Sequence, residues 1–162
     1  MIRYPKATIG PDIPAIGRIG QCDILRDGPD AMGLLIAVGP LAGPCLAAAD
    51  ELAAHDVPVT VIDPRWIAPL DPALLTLAGT YHLVLTVENT TTTGALGARI
   101  AQALAAADAV TRAATFALPP RFLPHAPRDQ ILRAHGLDAP GITAAVLKRL
   151  ASTHRRKTSE EM

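Results

Sequence analysis

Two stretches of the chain bring charged and turn-forming residues together at the end of an apolar run. The first is TVIDPRWIAPLD, residues 60 to 71, where a β-branched run halts at Asp63, Pro64 and Arg65, and Pro69, Leu70 and Asp71 follow. The second is LTVENTTTTG, residues 85 to 94, which closes on Glu88 and Asn89 and continues into a row of hydroxyls. A carboxylate so placed works as a general acid or base when a partner tunes it, and as a cap for the next helix when none does. No partner for Glu88 is legible, so capping is the simpler reading. For Asp63 and Arg65 the choice is between a working site and a joint between subunits.

Other chemistries lack their parts. The glycines of GPLAGP, residues 39 to 44, have neither the G-x-G-x-x-G fingerprint nor a Walker lysine, and read as turn and cap. His55, His82, His125, His135 and His154 fall in different segments without metal-ligand spacing. The chain's serines, Ser152 and Ser159, lie near its end, and no Gly-x-Ser-x-Gly elbow exists. Cys22 and Cys45 form no metal motif and no disulfide framework. The residues themselves predict no metal site and no catalytic set.

Composition limits the rest. The chain has 162 residues, with 15 basic and 15 acidic side chains and 49% hydrophobic residues. That length suits one domain, and balanced charge gives no electrostatic footprint for nucleic acid. No apolar run approaches the roughly 18 residues needed to cross a bilayer, so no membrane partner is expected and a cytoplasmic location is the default.

The elements that must position the strand-end residues fall in three zones. Residues 1 to 30, rich in proline and glycine, predict an extended linker with one edge strand over Gln21 to Leu25. Residues 31 to 150 alternate apolar runs (GLLIAVG, VPVTVID, HLVLTVE, VTRAATFAL) with helical stretches (LAAADELAAHD, PALLTLAG, GALGARIAQALAAAD). Short strands spaced by helices predict βαβ units, and strands apolar throughout predict helices on both faces. The expected fold is therefore α/β, a three-layer open sandwich around a mostly parallel sheet with one antiparallel edge strand. A short helix near Arg128 to His135, closed by Gly136, and a last helix over Ile142 to Leu150 follow; residues 151 to 162 are expected to be a charged flexible tail.

Taken in order, RYPK at 3 to 6, GRIGQCDILRDG at 17 to 28, LLIAVG at 34 to 39, VTVIDPRWIAPLD at 59 to 71, LTVEN at 85 to 89 and ALPPRFLPHAPRDQILRAHGLDAPGI at 117 to 142 resemble the C-terminal domain of the 1-deoxy-D-xylulose-5-phosphate synthases, in the transketolase superfamily. The resemblance covers about residues 3 to 150. Enzymes of that family join pyruvate to glyceraldehyde 3-phosphate with loss of carbon dioxide, on the route to isoprenoid precursors, using thiamine diphosphate and magnesium. The family's Gly-Asp-Gly motif for the diphosphate and metal lies in an N-terminal domain and its aminopyrimidine site in a middle domain, so the resemblance implies no cofactor on this chain alone.

It further implies that Lys6, with Arg3, faces the substrate phosphate in an intact enzyme. It implies too that Asp63, Arg65, Pro69, Asp71, Glu88 and Asn89 belong to a joint with neighbouring domains or the dimer partner. Arg65 would pair with a carboxylate across that joint, or with Asp63 or Asp71 inside the domain; Asp71 would cap the next helix. The partners implied are a second copy and the cofactor-binding domains of the same or a separate chain. VENTTTTGALG departs from the family's V-E-[ED]-N and Gly-Gly-x-Gly at Asn89, Thr90 and Ala95. The alternatives are a subunit-binding module of a split thiamine-diphosphate enzyme and a free-standing small-molecule-binding protein.

Overall fold

The structure, a computed structural model, describes residues 10–160. The β-branched and leucine-rich runs form strands: β1 (Gly17–Ile19), β2 (Cys22–Arg26), β3 (Gly33–Ala37), β4 (Val59–Asp63), β5 (Leu83–Thr91) and β6 (Arg112–Leu118). The helices are α1 (Ala42–Ala53), α2 (Pro72–Gly79), α3 (Leu96–Ala106), α4 (Arg128–Ala134) and α5 (Ala139–Glu160). The sheet order is β1-β2-β4-β3-β5-β6. β3 pairs in parallel with β4 and β5, and β5 with β6; β2 is antiparallel to both β4 and β1.

Side-chain alternation decides the layers. Leu35 and Ala37 of β3, Val59 and Val61 of β4, and Leu83, Leu85 and Val87 of β5 pack into one core with α1, α4 and α5. Leu34, Ile36, Ile62 and Val84, one residue out of phase, pack into a second core with α2 and α3. Both faces of the central strands are thus sealed, which is why their sequences show no polar alternation. Alanines and a cysteine fill the buried stripe of α1 (Ala42, Cys45, Ala48, Ala49, Leu52), so this helix packs close.

Helix ends follow from identifiable residues. Asp71 caps α2 by accepting from the Ala73 amide at 2.9 Å, with Pro72 at the first helical position. α4 ends in a left-handed Gly136 (φ 70°), after which the Leu137 amide donates to the Leu132 carbonyl at 2.8 Å, closing a Schellman turn whose two leucines are both buried.

Two expectations are corrected. The edge of the sheet holds two antiparallel strands rather than one: the expected edge strand is β2, and β1 pairs with it through a Gly20-Gln21 turn. β1 escapes sequence reading because it is three residues long and mostly exposed, with no run to detect. The last helix runs from Ala139 to Glu160, beyond Leu150 and through most of the expected tail; after Gly141 no glycine or proline interrupts it.

A three-layer sheet makes a specific demand on neighbouring residues. Leu34→Ala and Leu35→Ala are each expected to destabilise by about 2–5 kcal/mol in denaturant unfolding, because both leucines are fully buried on opposite faces. A two-layer arrangement would leave one of the pair near zero.

Candidate functional site

The polar residues singled out in the sequence gather at the carboxyl ends of the strands, in two groups linked by one loop. The first group lies at the end of β4. Asp63 stands opposite Asp23 of β2. Asp23 accepts from Arg18 Nε at 2.9 Å and from Arg65 Nη1 at 2.9 Å, so one carboxylate is held between two guanidinium groups. Asp63 instead accepts from the Arg65 backbone amide at 2.8 Å, and this turn holds Arg65 in the left-handed region (φ 57°). Asp71 closes the group: while Oδ1 caps α2, Oδ2 accepts from the Gln21 amide at 2.6 Å. The Gly20 turn (φ 55°) sits against Asp71 and Ala73, with no room for a side chain.

Arg65 therefore pairs inside the domain, with Asp23, a partner forty-two residues away in sequence that sequence reading did not name. The available signal was Arg18 and Asp23 flanking a two-residue turn, which places opposite charges across a hairpin. Hydrogen bonding and charge from Arg18 and Arg65 hold Asp23 below the usual carboxylate range. Burial pushes Asp63 upward, and the Arg65 amide only partly offsets it. Cys22, buried beside Asp71, Asp63 and Asp23, has its thiol pushed up to about 11, and burial alone takes Cys45 to about 12. Neither thiol is a nucleophile near neutral pH.

The second group lies in the last residues of β5, which runs on to Thr91 rather than closing at Glu88 and Asn89. Glu88 is 3% exposed, and its carboxylate accepts from the Leu96 amide at 2.9 Å and the Gly97 amide at 2.8 Å. α3 has no cap from its own preceding residue, Ala95, and Glu88 supplies it from the strand. A side chain on Gly97 would run into Thr86 and Thr115, so the glycine lets the helix start lie directly on the sheet. Both oxygens of Glu88 are engaged, which is the geometry of a cap.

Above Glu88 opens a cleft of about 670 Å3, walled by Gly39 and Pro40 after β3, by Asn89 and Thr90 of β5, and by Leu123 and Arg128. The connection from β3 leads through α1 to β4 on one side, and that from β5 through α3 to β6 on the other. The cleft thus sits at the point where the strand order reverses, where open α/β sheets bind ligands. Loop residues 64–70 link the groups: Arg65 joins Asp63 of β4 to Asp23 of β2, Ile67 lines the cleft and its carbonyl accepts from Arg99 Nη1 of α3. Pro69, joined to Ala68 by a cis peptide, precedes the Asp71 cap. The same loop leaves Trp66 63% and Ile67 53% exposed.

Arg128 was not singled out from sequence, where it reads only as the start of a short helix. Lys6 and Arg3 lie outside the described residues. Among the described residues no group of three or more His, Cys, Asp or Glu side chains is placed to hold a metal ion, and no helix is long and apolar enough to cross a membrane.

Sheet order, two-sided burial and a cleft at the strand-order reversal define an α/β domain of the doubly wound kind. Residues 20–142 match the family "Transketolase, C-terminal domain", and the chain belongs to it. It is 47% identical over 154 residues to 1-deoxy-D-xylulose-5-phosphate synthase 1 of Kitasatospora griseola, covering 93% of this chain and 24% of that protein. To the 1-deoxy-D-xylulose-5-phosphate synthase of Thermobifida fusca (strain YX) it is 42% identical over 167 residues, covering 99% of this chain and 26% of that protein. The chain thus spans about a quarter of the length of these relatives. A solved split-gene transketolase, described as an inactive beta4 tetramer, shares the fold with a TM-score of 0.75 at 24% identity, over 87% of this chain and 46% of that one.

Two predictions test the assignments made to these carboxylates. Glu88→Ala leaves the Leu96 and Gly97 amides without an acceptor and is expected to destabilise by at least about 1–3 kcal/mol in chemical unfolding, with amide exchange rising first in the opening turn of α3. Asp23→Asn should lower the unfolding midpoint at neutral pH. Because the folded-state pKa of Asp23 is depressed, its contribution is present above the ordinary aspartate value of 3.8 and is lost as pH falls through the folded value. Midpoints of the two proteins measured across acid pH are therefore expected to converge.

Proposed function

We propose that the chain serves as the third, C-terminal domain of a 1-deoxy-D-xylulose-5-phosphate synthase-like enzyme, supporting domain assembly and dimerisation for condensation of pyruvate with glyceraldehyde 3-phosphate, and that it does not turn over alone. The observation that carries this reading is the 47% identity to a synthase of which the chain spans 24%. The engagement of its polar residues favours a supporting role. Glu88 is engaged as a cap, Asp63, Arg65 and Asp71 tie elements of the domain together, and both thiols are held protonated.

On this reading thiamine diphosphate and magnesium are held by the other domains, where the resemblance puts the Gly-Asp-Gly motif that this sequence lacks. The cofactor supplies the carbanion chemistry. This chain's part is to present Lys6 and Arg3 to the substrate phosphate and to offer its strand-end loop, with Trp66 and Ile67 exposed, to neighbouring domains. Lysine gives attraction without a bidentate fork, so it orients a phosphate less tightly than arginine. A second reading, in which the cofactor-bearing domains sit on a separate chain, is favoured by the likeness to a split-gene transketolase.

Calorimetric titration of the purified chain with thiamine diphosphate and magnesium, then with glyceraldehyde 3-phosphate, and a turnover assay with pyruvate, are expected to show neither saturable cofactor binding nor product. Mixing with a chain that carries the Gly-Asp-Gly and middle domains should restore product formation. Saturable cofactor binding, or any product from this chain alone, would overturn the reading.

A further inference from the structure

We propose that the cleft at the carboxyl ends of β3 and β5 binds a small organic oxyanion, a phosphate or carboxylate, through the Nε–Nη2 edge of Arg128. The inference goes beyond the role as a supporting domain and does not depend on it. Its first observation is an unmet bonding requirement. Nε and Nη2 of Arg128 are shielded from solvent and have no hydrogen-bond partner, whereas Nη1, on the other edge, lies 3.8 Å from Asp129 Oδ1. A guanidinium donor without water or an acceptor bears the full penalty of desolvation, and an oxyanion that takes both donors at once removes it.

The second observation is the place. The cleft lies at the reversal of strand order, and its volume of about 670 Å3 is that of a small-molecule site. Val38, Leu118, Leu123 and Ile131 give it an apolar wall for a short carbon skeleton, and Asn89 and Thr90 add polar groups.

The charge balance favours an anion in this cleft. Glu88 is the acidic residue lining it, and that carboxylate is buried and engaged by two amides, which mutes its repulsion. Arg128 also borders a smaller hollow of about 340 Å3, but Asp129 and Asp138 line that one and disfavour an anion there. The Arg128 side chain keeps 35% of its exposure, and binding requires the guanidinium to turn its shielded edge into the cleft.

The test follows the Arg128 side-chain Nε–H signal by heteronuclear NMR while the full chain is titrated with inorganic phosphate and, separately, acetate. A saturable shift with at least one of the two is expected, and the responding anion identifies the chemistry. R128Q should bind that anion on the order of tenfold or more weakly, the loss of a charge-assisted pair, and R128K should also bind more weakly than wild type because it keeps the charge without the fork. R128Q without ligand is expected to unfold at or above the wild-type midpoint, since an unpaired charge has been removed. Absence of saturation with both anions, or equal affinity in R128Q, would overturn the proposal.

Discussion

Everything polar in this domain is arranged by the sealing of its sheet. With helices on both faces of β3, β4 and β5, side chains along these strands lie in largely apolar surroundings, and charge is tolerated towards the strand ends. Asp63 ends β4 and Glu88 lies three residues before the end of β5, and each is resolved by backbone donors. Asp63 takes an amide from the turn that follows it, while Glu88 takes two from the helix that follows it. The carboxylates at strand ends thus serve the covering layers before any chemistry.

The hairpin β1–β2 shows how the same economy holds an edge in place. It has little core of its own, yet Asp71 joins its turn to α2, and Asp23 joins its two strands to the loop after β4 through Arg18 and Arg65. Cys22, fully buried, adds the apolar contact beneath these polar ties. In the second strand-end group the one carboxylate lining the cleft, Glu88, is already engaged by the Leu96 and Gly97 amides.

Much of this was legible in the residues. Continuous apolar runs between alanine-rich stretches specify a parallel sheet covered on both sides, and Asp71 before Pro72 announces a cap whatever surrounds it. Signals failed where the information is non-local or too short. A three-residue exposed strand carries no periodicity, and the pairing of Arg65 with Asp23 spans forty-two residues and exists only because β2 lies beside β4. Arg128 was illegible for a different reason: an arginine at a helix start looks solvated, and the shielding of one edge of its guanidinium is a property of packing alone. The capping alternative for Glu88 was readable because local order, a strand, a short turn and a helix, brings its carboxylate to the helix start.

The loop after β4 is fixed at its beginning by Asp63 and Arg65, in its middle by Arg99 and at its end by Asp71, yet it holds the chain's one tryptophan out to solvent. Indole emission is sensitive to the polarity around it. Trp66 is therefore a native optical probe on the loop that joins the two strand-end groups. Any body that covers this rim turns the fluorescence of a single known residue bluer, without a label and without altering the chain.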